Sequence, residues 1–88
     1  MLWSQLKTPD PAIREICDKV LSQVNQDTRK NYMSLMPLVY REEQLSGGKN
    51  YKILVNGSND YFVITVLAPT PDTAMVTDYM DPMAKCFD

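Results

Sequence analysis

Only one segment of the chain repeats its apolar residues at helical spacing, and the residues after it repeat at the spacing of strands. Asp10 is typical of a helix N-cap, and Pro11 is typical of the first helical residue. The periodicity ends within 25–28, which predicts a helix of about four turns. A helix with a single apolar stripe needs one sheet face to cover it. The stripe consists of Ile13, Ile16, Cys17, Val20, Leu21 and Val24.

The remainder of the chain predicts strands joined by short turns. Runs rich in β-branched and aromatic residues occupy 32–43, 50–55, 61–67 and 74–80. Pro37 cannot donate a ladder hydrogen bond, so it predicts a bulge or an edge position in the first run. Asn56 and Gly57 form a hairpin signal. We therefore expect an α+β fold, in which one amphipathic α-helix packs across a four- to five-stranded antiparallel sheet.

Size and charge limit the partners. The 88 residues suit one domain over 1–88, with an extended arm at 1–9 and a tail at 81–88. The net charge of −2 argues against nucleic acid and anionic membranes as partners. The N-terminus lacks the apolar core of a secretory signal. Because Cys17 and Cys86 are too few for a disulfide framework, we expect a disulfide-free, cytoplasmic protein with free thiols.

Patterns of catalytic or ligand-binding residues are weak. The chain has no histidine, so neither a Cys-His nor a Ser-His-Asp arrangement can form. Residues 46–49 hint at a phosphate loop, but the upstream glycine and the hydroxyl residue after Lys49 are missing. Asp78 and Asp81 lack the spacing of a metal cluster, and the acidic pair at 42–43 predicts solvated surface. We expect no enzyme, no cofactor and no metal site.

The best candidate for a binding surface is the turn from Gln44 to Gly48. Gly47 and Gly48 can adopt positive φ without steric cost, which suits a tight hairpin tip. Exposed loops on a rigid scaffold tend to carry function. By strand counting, the same end of the sheet carries the loop at 69–71 and lies within reach of the N-terminal arm. Trp3 in that arm either packs back onto the sheet or waits for a partner.

Two segments resemble the type-1 cystatins, the stefins, and most closely the stefin A-like members. Residues 10–20 are similar to the start of the stefin helix, with its Pro-x-Ile-x-x-Ile-x-Asp-Lys-Val pattern. Residues 44–51, Gln-Leu-Ser-Gly-Gly-Lys-Asn-Tyr, are similar to the stefin Gln-x-Val-x-Gly hairpin and the x-Asn-Tyr that follows it. The resemblance covers most of the chain and implies the cystatin-like fold.

The resemblance also implies a function. Stefins are reversible, tight-binding inhibitors of papain-like cysteine proteases such as cathepsins, and they act as monomers without a cofactor. A wedge, made of the N-terminal arm and two hairpin loops, fills the active-site cleft, with Leu2 and Trp3 in pockets for substrate side chains. The protease-binding residues implied in this chain are Leu2, Trp3, Ser4, Gln44, Leu45, Ser46, Gly47, Gly48, Pro69, Thr70 and Pro71.

The chain departs from the stefin pattern within the wedge. Ser46 stands where the motif has valine, and one lost aliphatic side chain corresponds to about 1–2 kcal/mol, or about tenfold in affinity. Ser4 stands where the family has a glycine, and we expect it to weaken the seat of the arm. The second loop lacks the usual Leu-Pro pair. The alternative is a non-inhibitory cystatin-fold module with a diverged wedge, or a domain-swapped dimer in which 44–48 straightens.

Overall fold

A computed structural model, which describes residues 2–70 and 72–83, places one helix across a four-stranded antiparallel sheet. The strand order is the order of the sequence, so every connection is a hairpin or a short loop. The predicted α+β fold is confirmed. Pro71 and Cys86, with the end of the predicted tail, lie outside the described residues. The elements are α1 (Pro11–Thr28), β1 (Met36–Leu45), β2 (Gly48–Gly57), β3 (Asp60–Ala68) and β4 (Met75–Met80).

Helix α1 begins where the sequence predicts. The Asp10 carboxylate accepts a hydrogen bond from the Ile13 backbone N–H at 3.0 Å, and Pro11 occupies the first turn, where a missing N–H costs nothing. The helix continues through Thr28, about one turn beyond the predicted four, and ends at Arg29 in the left-handed conformation with φ 59°. In the described part of the chain, no helix is long and apolar enough to cross a membrane.

The core lies between the apolar stripe of α1 and one face of the sheet. The Cys17 side chain is fully buried there, and burial raises the pKa of its thiol to about 12. A thiol with so high a pKa is a core side chain rather than a nucleophile, as the sequence predicts. The core residues of the helix and the two central strands are Ile13, Ile16, Cys17, Val20, Val24, Ile53, Val55, Ile64 and Val66.

The segment before β1 corrects the predicted start of the first strand. Strand structure begins at Met36 and not at Tyr32. Asn25 at the end of α1 holds this connection, because its side-chain amide accepts from the Tyr32 N–H at 2.8 Å and donates to the Tyr32 carbonyl at 3.0 Å. With both backbone groups bonded to a side chain, Tyr32 does not join the ladder. The predicted irregularity at Pro37 is confirmed, since the register of β1 and β2 shifts there.

The second hairpin turns at Ser58 and Asn59, two residues later than the Asn56-Gly57 signal predicts. Gly57 is still in β2 and pairs with Asp60, while Ser58 takes the positive φ of 60°. The Tyr32 ring requires a glycine at position 57, because a Cβ added there would lie 2.8 Å from it. Gly57 is therefore needed for the close approach of the Tyr32 ring and not for the turn.

The prediction of solvated surface at 42–43 is wrong for Glu43. Its side chain is only 7% exposed, and it pairs across β1 and β2 with Asn50. The N-terminal arm runs along the outer side of β1, so this part of β1 has neighbours on both sides. A segment that the sequence does not mark as a strand therefore covers part of an outer strand.

Alkaline pH is expected to destabilise the fold. Burial, together with the hydrogen bond that the Tyr32 hydroxyl donates to Asp60 at 2.6 Å, raises the pKa of Tyr32 from 10.0 to about 12. Because the folded pKa exceeds the unfolded pKa, the stabilisation is complete below pH 10 and is lost as the pH rises through 12. Urea unfolding at pH 8 to 12 should show a falling free energy of unfolding.

The matched variant for this effect is Tyr32→Phe. It removes the ionisable group and keeps the ring that packs 5.7 Å from Phe62 between centroids. The variant should lose less of its stability than the wild type over the same pH interval. Tyr79, whose pKa burial also raises, retains a residual dependence. Equal slopes for the two proteins would contradict the assignment to Tyr32.

Candidate functional site

Three segments meet at one end of the sheet: the turn between β1 and β2, the loop between β3 and β4, and the N-terminal arm. The arm is antiparallel to β1, with Lys7 paired to Tyr40 and Ser4 to Glu42, so its N-terminal end points toward the turn that follows β1. The other two segments are in direct backbone contact at Gly48 and Pro69. The convergence predicted by strand counting is present in the structure.

The first turn is closed by its own backbone and by one side chain. Leu45 pairs with Gly48, which leaves Ser46 and Gly47 exposed as the two-residue tip. The Gln44 side-chain amide donates to the carbonyl oxygens of Leu45 and Gly48, both at 3.1 Å. Gln44 therefore braces the turn from outside, and the tip is fixed before any partner binds.

Gly48 is the position where the two loops touch. Its φ is +140°, and it is the only described glycine with a positive φ. A Cβ at this position would lie 2.5 Å from the Pro69 Cα and 2.6 Å from the Ala68 carbonyl oxygen. A Cβ at Gly47 would meet nothing within 4 Å. The two glycines thus have different tasks, since Gly48 allows backbone to pack on backbone and Gly47 keeps the tip small.

The loop between β3 and β4 is held by polar contacts. Thr70 and Thr73 bond to each other through backbone and hydroxyl groups, with 2.9 Å between the two hydroxyl oxygens. The Lys19 ammonium donates to the Asp72 carboxylate at 2.9 Å, which ties the loop to α1. That hydrogen bond from Lys19 lowers the pKa of Asp72. The contact is exposed, so it orients the loop more than it stabilises the fold.

The N-terminal arm is fastened to the sheet along three residues. Lys7 exchanges backbone hydrogen bonds with Tyr40, and the Ser4 N–H donates to the Glu42 carbonyl at 2.8 Å. The Trp3 ring is half-buried, with the Lys52 ammonium 4.6 Å from its centroid, a cation–π contact. Leu2 is 90% exposed. Trp3 therefore packs back onto the sheet, which decides between the two alternatives open from the sequence.

A cavity of about 310 Å³ lies behind the two loops, on the helix side. Its apolar walls come from Ala12 and Ile16 of α1 and from Ala68 and Pro69, and Tyr51 lines it from β2. Residues of α1 and of both loops therefore line one shared space. In front of it, the backbone contact between Gly48 and Pro69 supports one loop by the other.

The structure brings most of the residues implied by the resemblance to one rim. The residues from Gln44 to Gly48 are adjacent to Pro69 and Thr70. The N-terminal end of the arm points toward the same rim, so we infer that Leu2 lies near it. Trp3 faces the sheet instead. Lys19 and Asp72 contribute to the site without being predicted, and no sequence pattern connects two residues so far apart. Among the described residues, no group of three or more His, Cys, Asp or Glu could hold a metal ion.

Comparison with known proteins adds independent information. No protein-family model matches the chain. The chain is 39% identical over 75 residues to leukocyte cysteine proteinase inhibitor 1 of Sus scrofa, covering 81% of this chain and 72% of that protein. It is similar to the same degree to cystatin-A8 of Sus scrofa. It is 36% identical over 69 residues to cystatin-A of Homo sapiens, covering 77% of this chain and 69% of the human protein.

Proposed function

Because the chain belongs to the type-1 cystatin (stefin) family, we propose that it is a reversible, tight-binding inhibitor of papain-like cysteine proteases of the cathepsin class. It is not an enzyme. The wedge enters the active-site cleft with the tip at Ser46 and Gly47 and the second loop at Pro69 and Thr70. Leu2 extends the contact from the arm. The proposal retains Pro71 as a protease-binding residue on the ground of the family resemblance alone.

The observation that carries the proposal is the backbone contact between Gly48 and Pro69. It supports two narrow loops as one rigid edge, which is the shape that a cleft can accept. Binding costs free energy for each segment that must become ordered. An edge already fixed by the Gln44 amide, by the contact at Gly48 and by the bonds between Thr70 and Thr73 avoids much of that cost.

Titration of papain with the purified protein tests the proposal. Residual hydrolysis of a fluorogenic peptide should fall with increasing protein and return on dilution, as expected for reversible inhibition. Circular dichroism on the same sample verifies the fold. A folded protein that leaves papain and cathepsins fully active at micromolar concentration would contradict the inhibitor function. The non-inhibitory binding module would then be the better hypothesis.

Ser46→Val is expected to tighten inhibition by about tenfold, since the added aliphatic surface contributes about 1–2 kcal/mol when it is buried in the cleft. Ser46 is exposed in the free protein, so the change should not alter stability. Inhibition constants for the two proteins measure the effect. The control is Ser34→Val, an exposed serine just before β1, at the end of that strand opposite the turn. It should leave inhibition unchanged, and equal effects of both variants would exclude Ser46 from the contact.

The proposal includes a monomer in the cytoplasm. A monomer is the state in which the first turn is closed between Leu45 and Gly48, whereas a domain-swapped dimer requires 44–48 to straighten. Size-exclusion chromatography of the protein used for inhibition distinguishes the two states. Inhibition found only in a dimeric fraction would contradict the monomeric wedge.

A further inference from the structure

We propose that Ser4 is a positioning residue that locks the N-terminal arm on β1, holds Trp3 against the sheet, and leaves Leu2 as the side chain that the arm presents to a protease. The inference rests on the proposed function and assigns different roles to neighbouring residues of the wedge. Trp3 becomes an anchor of the free protein and not a residue that enters a substrate pocket.

The arm contains one residue more than the segment of β1 that it covers. Its backbone pairs with β1 at Lys7 and Tyr40 and again at Ser4 and Glu42. Three peptide units separate the two positions along the arm, but only two separate them along β1. The extra residue is a bulge, and a bulge disrupts the regular ladder next to it. One of the hydrogen bonds expected at Ser4 must therefore be made in another way.

The Ser4 hydroxyl makes the missing bond. In a regular antiparallel pair, the Glu42 N–H would donate to the Ser4 carbonyl. Here the Ser4 carbonyl accepts from the Arg41 guanidinium at 2.8 Å, and the Glu42 N–H donates to the Ser4 Oγ at 2.9 Å. The hydroxyl itself donates to the Gln5 carbonyl at 2.9 Å. A glycine or an alanine at this position has no side-chain atom that could accept from the Glu42 N–H.

This geometry changes the expectation for Ser4. From the sequence, a serine in place of the family's glycine should weaken the seat of the arm. In the structure the hydroxyl adds a bond to β1, so the serine strengthens the attachment in the free protein. The consequence extends to the next residue, because Trp3 leaves Ser4 in the direction that places its ring over Lys52.

The first two described residues of the arm differ in exposure. Leu2 is 90% exposed and apolar, while Trp3 is half-buried against the sheet. Moving Trp3 into a protease pocket would break its contact with Lys52 and remove the pairing at Ser4. Leu2 can be bound without either change. When the arm is locked, Leu2 is therefore the residue that a protease recognises. The enzyme pocket that binds it must accept an aliphatic side chain.

Trp3 is the only tryptophan in the chain, so its fluorescence reports on the arm alone. Ser4→Ala should lower the ratio of locked to unlocked arm by about fivefold to tenfold, the factor for one lost hydrogen bond. Acrylamide quenching of Trp3 should then increase and its anisotropy should fall, without protease present. Ser4→Thr, which retains a hydroxyl, should restore the wild-type signal. Thr8→Ala removes an exposed hydroxyl of the same arm and is the control that should change nothing.

Inhibition of papain tests the second part of the assignment. Leu2→Ala should weaken inhibition by about tenfold because it removes buried apolar surface from the complex. In the complex, Trp3 should remain as protected from acrylamide as in the free protein. An unchanged Trp3 signal in Ser4→Ala, or an equal change in Thr8→Ala, would overturn the lock. A wild-type protein that inhibits no protease would overturn the role of Leu2 together with the proposed function, while the fluorescence result still decides the lock.

Discussion

Replacing Gly48 with alanine is expected to lower the free energy of unfolding by about 3 kcal/mol, the sum of a strained positive φ and an overpacked contact. The new Cβ would lie 2.5 Å from the Pro69 Cα and 2.6 Å from the Ala68 carbonyl oxygen. Both are backbone atoms, so no side-chain rotation relieves the overlap. The two loops must move apart, and the edge that they form is no longer the one that fits a cleft.

Gly48→Ala should therefore weaken inhibition as well as lower the free energy of unfolding. Papain titration of folded Gly48→Ala should give an inhibition constant at least about tenfold weaker than the wild type, as expected for a displaced contact of more than about 1.4 kcal/mol. Gly47→Ala is the matched control, because a Cβ there meets nothing within 4 Å. Urea unfolding and inhibition should both be nearly unchanged in the control. Comparable losses in the two variants would show that the contact with Pro69 is not the cause.

Truncating Ile53 to alanine is expected to lower the free energy of unfolding by about 3–4 kcal/mol. Ile53 is 0% exposed and lies in β2, a central strand, where it pairs with Tyr40 on one side and Ile64 on the other. Neighbours on both sides limit how far the structure can relax into the cavity. A domain of this size has only about 5–15 kcal/mol in total, so the loss is a large part of its stability.

Comparing Ile53→Ala in the core with Gly48→Ala in the wedge should separate effects on stability from effects on inhibition. Ile53→Ala leaves the turn at Ser46, the second loop and the arm in place, so the folded fraction should inhibit papain as the wild type does. Ile53→Val, which removes one methylene group, should cost only about 0.5–1.5 kcal/mol. Urea unfolding gives the stabilities and active-site titration the inhibitory fraction. A weakened inhibition constant for folded Ile53→Ala would indicate that the core controls the geometry of the wedge.

Features with local causes were predictable from the sequence. The start of α1 depends on Asp10 and Pro11, which act within one helical turn. The strands follow from β-branched and aromatic runs, and the irregularity in β1 follows from the missing N–H of Pro37. Each of these signals involves residues that are neighbours in the chain. The architecture follows from them because one apolar helix stripe needs one sheet face.

The features that were missed depend on contacts between distant residues. Residue 57 must be a glycine because the Tyr32 ring, 25 positions earlier in the chain, lies over it. The role of Ser4 depends on the register between the arm and Glu42, which no local pattern sets. Likewise, both glycines of the first turn look equivalent in the sequence, and only the approach of Pro69 distinguishes Gly48. The structural roles of these residues depend on tertiary contacts and not on local conformational preferences.

Both outer strands of the sheet have part of their free edge covered by other residues of the chain. On β4, the Gln23 side-chain amide bonds to both the N–H and the carbonyl of Val76, at 2.8 Å each, in the place that a further strand would fill. On β1, the N-terminal arm does the same for Tyr40 and Glu42. Unpaired strand edges are templates on which a second molecule can add and start a polymer. By covering part of each edge with its own residues, the chain leaves less of that edge open to a second molecule.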